Sequence, residues 1–158
     1  MQNFPHRYVV VAAGDALDDI ELASGSLPPL QSAPPTEFDG PGDRWSPETL
    51  LVAAVAGCYV LTFRAVARAS RVSWTWLRCE VDGTLERIDK APQFTAFDMR
   101  ASLSIPPTMD AQQARRALEK AESQCLISKS LKGTVHLTIA IDNDEVVIQP
   151  EVVAGARS

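Results

Sequence analysis

The 158-residue sequence has little of what builds a metal, nucleotide or nucleic-acid site. It holds three cysteines and two histidines. Cys58, Cys79 and Cys125 are widely spaced, odd in number and include no CxxC pair, so neither a disulfide framework nor a zinc site is expected. Gly40 and Gly42 do not stand between a strand and a helix start in a phosphate-cradling pattern, so no nucleotide or other cofactor is implied. Positive charge is also scarce. Fifteen Lys and Arg against twenty Asp and Glu leave a formal charge of -5, which gives no general attraction for nucleic acid or anionic membranes. The longest apolar run, Leu50 to Phe63, falls short of the roughly 20 residues that span a bilayer. The start, MQNFPHRYVV, lacks a basic region followed by an apolar one. A soluble, cytoplasmic chain is the expectation.

What is present is apolar material for a real core, 46% of the residues in a length that suits one domain. The sequence predicts a single domain over residues 1–158, with residues 1–45 supplying N-terminal strands and a proline- and glycine-rich loop. Its most legible element begins at SPETLLVAAVAGC. Ser46 can accept a hydrogen bond from a first-turn amide, Pro47 has the φ of a first helical residue, and Glu48 places negative charge at the positive end of the dipole. Arg64, Arg68 and Arg71 gather toward the other end. These features predict one helix from about Pro47 to about Ala69.

Strands surround it in an α+β pattern: antiparallel sheets packed around a long central helix and a second, shorter helix. Tyr8–Ala12 and Asp19–Ala23 read as a hairpin turned near Gly14 and Asp15. The proline-rich segment after them has room for one short strand. From Trp74 to Val81 the chain alternates, with Thr75, Leu77, Cys79 and Val81 on one side, so Cys79 is expected to pack inward. Phe97 to Ile105 alternates likewise, Val135–Ile141 gives a further strand, and Glu145–Gln149 is a candidate edge. A second helix is predicted from Asp110 to about Gln124, with Asp110 as N-cap and Gln113 in the capping-box position. Ala114, Ala117, Leu118 and Ala121 form its apolar stripe, and Cys125 continues that stripe if the helix persists.

A lone cysteine among Leu51, Val55 and Leu61 is more often a small core residue than a nucleophile, and the same holds for Cys125. For Cys79 packing is the adopted reading. Gly57 costs about 1 kcal/mol against alanine inside a helix, which predicts a close neighbour there.

Two segments together carry more than either thiol alone. SPETLLVAAVAGC, with Glu48 ten residues before Cys58, resembles the signature of the OsmC/Ohr superfamily. KAESQCLISKSL followed by GTVHLTIAI is similar to that family's second cysteine segment and the strand after it. The resemblance runs through most of the chain beyond Gly40. It implies an intertwined homodimer and thiol peroxidase chemistry on organic hydroperoxides. In that chemistry Cys58 attacks the peroxide to become a sulfenic acid and Cys125 closes a disulfide with it, with electrons returned by a dithiol or lipoyl-protein reductant. A thiol of ordinary pKa in apolar surroundings, far from a helix N-terminus, is mostly protonated at neutral pH, so a cationic neighbour is expected for Cys58.

Ten residues along a straight helix separate Glu48 from Cys58 by about 15 Å, so a third group must join them. The resemblance implies an arginine paired with the glutamate. Arg44, just before the helix, is the preferred candidate and Arg7 the other; either could equally be an ordinary surface charge. Leu126 stands where the family often has proline. The rival reading keeps the fold without the enzyme: a protein binding an apolar ligand, or a redox-sensitive interaction protein. A hydrolase built on Cys58 and His136 is set aside because no acidic group is seen to orient the histidine.

Overall fold

In the computed structural model, residues 3–143 are described, and they fall into two compact units that divide between Leu51 and Val52. The candidate edge Glu145–Gln149 lies outside the described residues.

The N-terminal unit is a small antiparallel sheet of β1 (Val11–Ala13), β2 (Ile20–Ala23) and β3 (Leu30–Ser32), in that order. Val11 faces Ala23 across the hairpin, and Ile20 faces Ser32 across the second pair. The hairpin turns where Asp15 accepts hydrogen bonds from the amides of Leu17 at 2.8 Å and Asp18 at 2.9 Å. These two donors hold the Asp15 carboxyl below its usual range. The proline-rich segment thus does contain one short strand, followed by a 3-10 turn at Thr36–Phe38. Its chain then meets the start of the long helix, where Ser46 Oγ accepts from the Thr49 amide at 3.1 Å and Thr49 Oγ1 accepts from the Ser46 amide at 2.9 Å. This is a reciprocal cap in which threonine takes the role usually given to glutamate.

α1 runs from Pro47 to Ala69 as the sequence predicts. Val55, Tyr59, Phe63, Val66 and Ala67 form its buried stripe at helical spacing. The rest of α1 carries few polar groups. Its 23 residues include an 18-residue stretch of mean hydropathy 2.0, of which 28% is buried within the chain. By length and composition alone such a helix could cross a membrane. The sequence reading ended the apolar run at Phe63, but the hydropathy of the stretch is high enough to absorb Arg64.

The C-terminal unit adds a three-stranded sheet, β4 (Trp76–Ile88), β5 (Ala91–Ser104) and β6 (Thr134–Asp142), in the order β4-β5-β6. The inward sets match the sequence alternation: Leu77 on β4, and Phe97, Met99, Ala101 and Leu103 on β5, with Ile105 just past its end, are buried. Two things differ. β4 and β5 form a much longer hairpin than the alternation around Val81 suggested. And β6 lies parallel to β5, so the sheet is mixed where antiparallel sheets were expected. The physical reason is the connection: α2 (Ala111–Gln124) and a short α3 (Leu126–Lys129) lie between β5 and β6, and a crossover of that length returns a strand in the same direction.

Packing locks α1 into this unit. Tyr59 donates to the Leu118 carbonyl of α2 at 3.4 Å, and the rings of Phe63 and Trp74 meet edge to face with centroids 5.4 Å apart. Gly83 of β4 has no room for a methyl group, since a Cβ there would lie 2.7 Å from Val52 and 2.9 Å from Phe94. Gly57 is the reverse case. Outside its own helix backbone and chain neighbours, nothing among the described residues lies within 4 Å of where its Cβ would be, so none of them explains it. Asp110 caps α2 by accepting from the amides of Gln112 and Gln113, but Gln113 does not reach back. Its side-chain amide donates instead to the Ser70 carbonyl at 2.8 Å, tying α2 to the end of α1.

Candidate active site

The site is built where the end of α2 passes α1. α2 stops at Gln124 because Cys125 takes an extended conformation, φ -66 and ψ 113, and α3 begins at once. Cys125 is therefore not the last residue of a helical stripe, as the 3.6-residue period suggested. It is the hinge between two helices and is fully buried all the same. The break turns the amides of Leu126 and Ile127 toward α1, where Cys58 projects from the fourth turn, half-buried.

Four neutral groups meet the Cys58 sulfur: the Ile127 amide, the Cys125 thiol, the Thr62 hydroxyl at 3.9 Å and the Leu126 amide. Burial works against ionisation of Cys58. The four neighbours outweigh it, and the thiol is held below its ordinary value. Among the described residues no cation is one of the groups that shift it. The middle of α1 gives Cys58 no N-terminal dipole, but the chain brings the N–H groups of a second, short helix to the sulfur instead.

Cys125 is shifted the other way. Burial raises its pKa, hydrogen bonding to Ser128 partly offsets this, and the nearby Cys58 raises it again. The arrangement is a pair of thiols with opposed tendencies, one drawn toward thiolate and one kept as thiol. Cys79 stands apart from this chemistry. It packs half-buried from β4, and burial, with Cys125 nearby, pushes it up to about 12. Tyr59, beneath, is likewise raised by burial first, then by Cys79, Glu122 and Cys125.

The remaining sequence candidates lie in the N-terminal unit or on the surface. The Arg44 guanidinium is held by Asp19 at 2.7 Å and Asp43 at 3.0 Å. No hydrogen bond or ion pair among the described residues joins it to Glu48, the partner that the resemblance implied. Arg7 is exposed. Glu48 Oε2 is shut off from solvent without a hydrogen-bond partner. His136 faces outward on β6, with Nδ1 3.4 Å from Asp98 of β5, its register neighbour. An acidic companion therefore exists that the sequence reading missed, but the pair sits on the exposed side of the sheet and Cys58 on the side of the core. Among the described residues no group of three or more His, Cys, Asp or Glu could hold a metal ion.

The amide donors to Cys58 were also missed. The signal that could have found them is the odd step in SQCLISK, where a cysteine interrupts one helix and heads another. Of the apolar residues near the thiol in sequence, Val55 and Phe63 are sealed core, while Leu61 is 60% exposed.

Comparison with known proteins agrees with this architecture. A family model described as OsmC-like protein matches residues 40–140. An uncharacterized protein of Bacillus subtilis, YmaD, is 30% identical over 129 residues, which cover 80% of this chain and 85% of that protein. Among solved structures, an OsmC-like protein of unknown function from Vibrio cholerae superposes with a TM-score of 0.79 at 16% identity, over 85% of this chain and 99% of that one. An organic hydroperoxide resistance protein from Legionella pneumophila gives 0.68 at 22% identity, over 88% and 98%.

Proposed function

This chain belongs to the OsmC-like protein family, and from that premise we propose that it is a cysteine-based peroxidase that reduces organic hydroperoxides. The observation that carries the reading is the meeting of Cys58 with Cys125 and with the amides of Ile127 and Leu126. In the first step the Cys58 thiolate attacks the outer peroxide oxygen. An S–O bond forms, the O–O bond breaks, and the alkoxide leaves as alcohol after taking a proton, giving Cys58 sulfenic acid. In the second, the Cys125 sulfur attacks the sulfenic sulfur, the S–O bond breaks, and water departs as the disulfide closes. A dithiol of the lipoyl type returns two electrons by thiol–disulfide exchange, ending as its own disulfide and leaving both cysteines reduced. Arg44, which pairs with Asp19 and Asp43, is given no step in this scheme, where the thiolate is supported by amides.

A homodimer in the cytoplasm is part of the proposal. Its support is the uncovered side of α1, where Ala54, Gly57 and Leu61 are exposed at helical spacing while the opposite stripe is core. A second copy covering that side would also account for the glycine that has no close neighbour among the described residues.

Steady-state turnover of cumene hydroperoxide with dihydrolipoamide tests the reading. The natural sequence is expected to turn over many equivalents and Cys58→Ser none, since a hydroxyl is a poor nucleophile toward peroxide oxygen at neutral pH. Turnover that survives the Cys58→Ser change contradicts it.

A further inference from the structure

We propose that Ser128 is a positioning residue for disulfide closure: its buried hydroxyl, set beside Cys125, is held for the charge that develops on that sulfur as it attacks the Cys58 sulfenic acid. The inference rests on the peroxidase reading and adds a residue to its second step. Cys125 heads α3 in an extended conformation, and Ser128 is the third residue of that helix. A side chain three places after the residue that heads a helix leans back toward it, the relation that a capping box uses. Both residues are inside, Cys125 with no exposed surface and Ser128 with 7%.

The Ser128 hydroxyl closes no hydrogen bond of ordinary geometry among the described residues. A buried hydroxyl in that condition is a cost to the fold that a serine kept only for packing has no reason to carry. The group it does act on is the Cys125 sulfur, whose pKa the Ser128 hydroxyl and amide lower against the burial that raises it. A contact that is loose to a neutral thiol and tightens on a thiolate is the behaviour of a donor set in advance for charge that develops during reaction. No access from solvent is needed, because both partners belong to the chain. In the closing step the Cys125 S–H bond breaks, the sulfur attacks the sulfenic sulfur of Cys58, and the proton ends on the departing oxygen as water. Ser128 donates to the Cys125 sulfur while it is charged and keeps its own proton. The same contact serves the reopening step. When a dithiol attacks Cys58, the less buried of the two, Cys125 departs as thiolate, and a stabilised thiolate departs faster.

The test follows a single turnover of the full chain with one equivalent of cumene hydroperoxide, acid-quenched at intervals, with peroxide loss and the Cys58–Cys125 disulfide measured separately. Ser128→Ala is expected to slow closure about tenfold while peroxide loss stays within about twofold, and to slow reopening by dihydrolipoamide as well. Ser128→Thr, which keeps the hydroxyl, should restore closure. Losing the hydroxyl raises the Cys125 pKa, so the shortfall is full at pH 7 and narrows as pH rises past that thiol. The urea midpoint of reduced Ser128→Ala should be unchanged or higher, because the hydroxyl closes no ordinary hydrogen bond among the described residues. Closure that is equally fast in Ser128→Ala, or a shortfall that is the same at every pH, overturns the inference and leaves the peroxidase reading standing. A natural chain that consumes no peroxide, or closes no disulfide, overturns both. Should Ser128→Ala lose its fold by circular dichroism, Ser128→Thr against Ser128→Val, alike in shape and different by the hydroxyl, decides in the same way.

Discussion

Replacing Leu126 by proline separates the stability of the fold from the ionisation of Cys58. The backbone is already suited to proline there. Leu126 is the first residue of α3, where the fixed φ is helical, and Cys125 before it is extended, the conformation that a following proline demands. The leucine side chain is 72% exposed, so little burial is lost. Restricting the unfolded chain should therefore raise stability by about 0.5 kcal/mol. The same change deletes the Leu126 amide, the least of the four groups favouring the Cys58 thiolate. If that donor is worth about 1 kcal/mol, the Cys58 pKa rises by about 0.7 unit and the thiolate fraction at pH 7 falls roughly fivefold. A more basic thiolate is a better nucleophile, with a Brønsted slope near 0.45, which returns about twofold. The net expectation is a two- to threefold slower reaction at pH 7 that reverses to about twofold faster once pH exceeds both pKa values. Iodoacetamide labelling of the Cys58 peptide against pH, read by mass spectrometry beside a urea unfolding curve, measures both effects. A stabilised protein whose Cys58 midpoint is unchanged or lower would refute the assignment of the amide to the thiolate.

Three further outcomes follow from the same geometry. Cys125→Ser should consume about one equivalent of hydroperoxide and stop as a sulfenic acid that dimedone traps, because Cys79, pushed up to about 12, is a poor substitute; sustained turnover would show resolution elsewhere. Gly83→Ala should cost about 1–3 kcal/mol in chemical denaturation, since its methyl would press on Val52 and Phe94, and an unchanged midpoint would mean the contact yields freely. Bulky hydroperoxides should be preferred over hydrogen peroxide in kcat/KM, by about 0.8 kcal/mol for each methylene buried, with exposed Leu61 the apolar contact one turn from Cys58. Equal values for hydrogen peroxide, tert-butyl and cumene hydroperoxide would remove that contact from the account.

The parts of the molecule that were legible in the sequence are those set by local chemistry. Ser46, Pro47 and Glu48 mark the start of α1 because capping, proline geometry and the helix dipole act within one turn. The alternation through Leu77 and Cys79, and again through Phe97 to Ile105, gave the inward faces of β4 and β5 because strand period is local too. What depends on partners distant in sequence was not legible. The direction of β6 is fixed by the crossover through α2 and α3, and the meeting of Asp98 with His136 by the resulting register. Arg44 stands two residues before Ser46 at a promising helix start, yet the carboxylate its Nε meets is Asp19, twenty-five residues earlier. The support for Cys58 was hidden for a different reason. It comes from backbone amides, which every residue carries, and only the break at Cys125 aims them at the sulfur.

Counting thiols tests the central claim most directly. The chain has three cysteines, and one equivalent of cumene hydroperoxide should leave one free thiol, Cys79, with a disulfide joining Cys58 to Cys125 in the peptide map. Three thiols persisting after peroxide, or a disulfide that includes Cys79, would contradict the account.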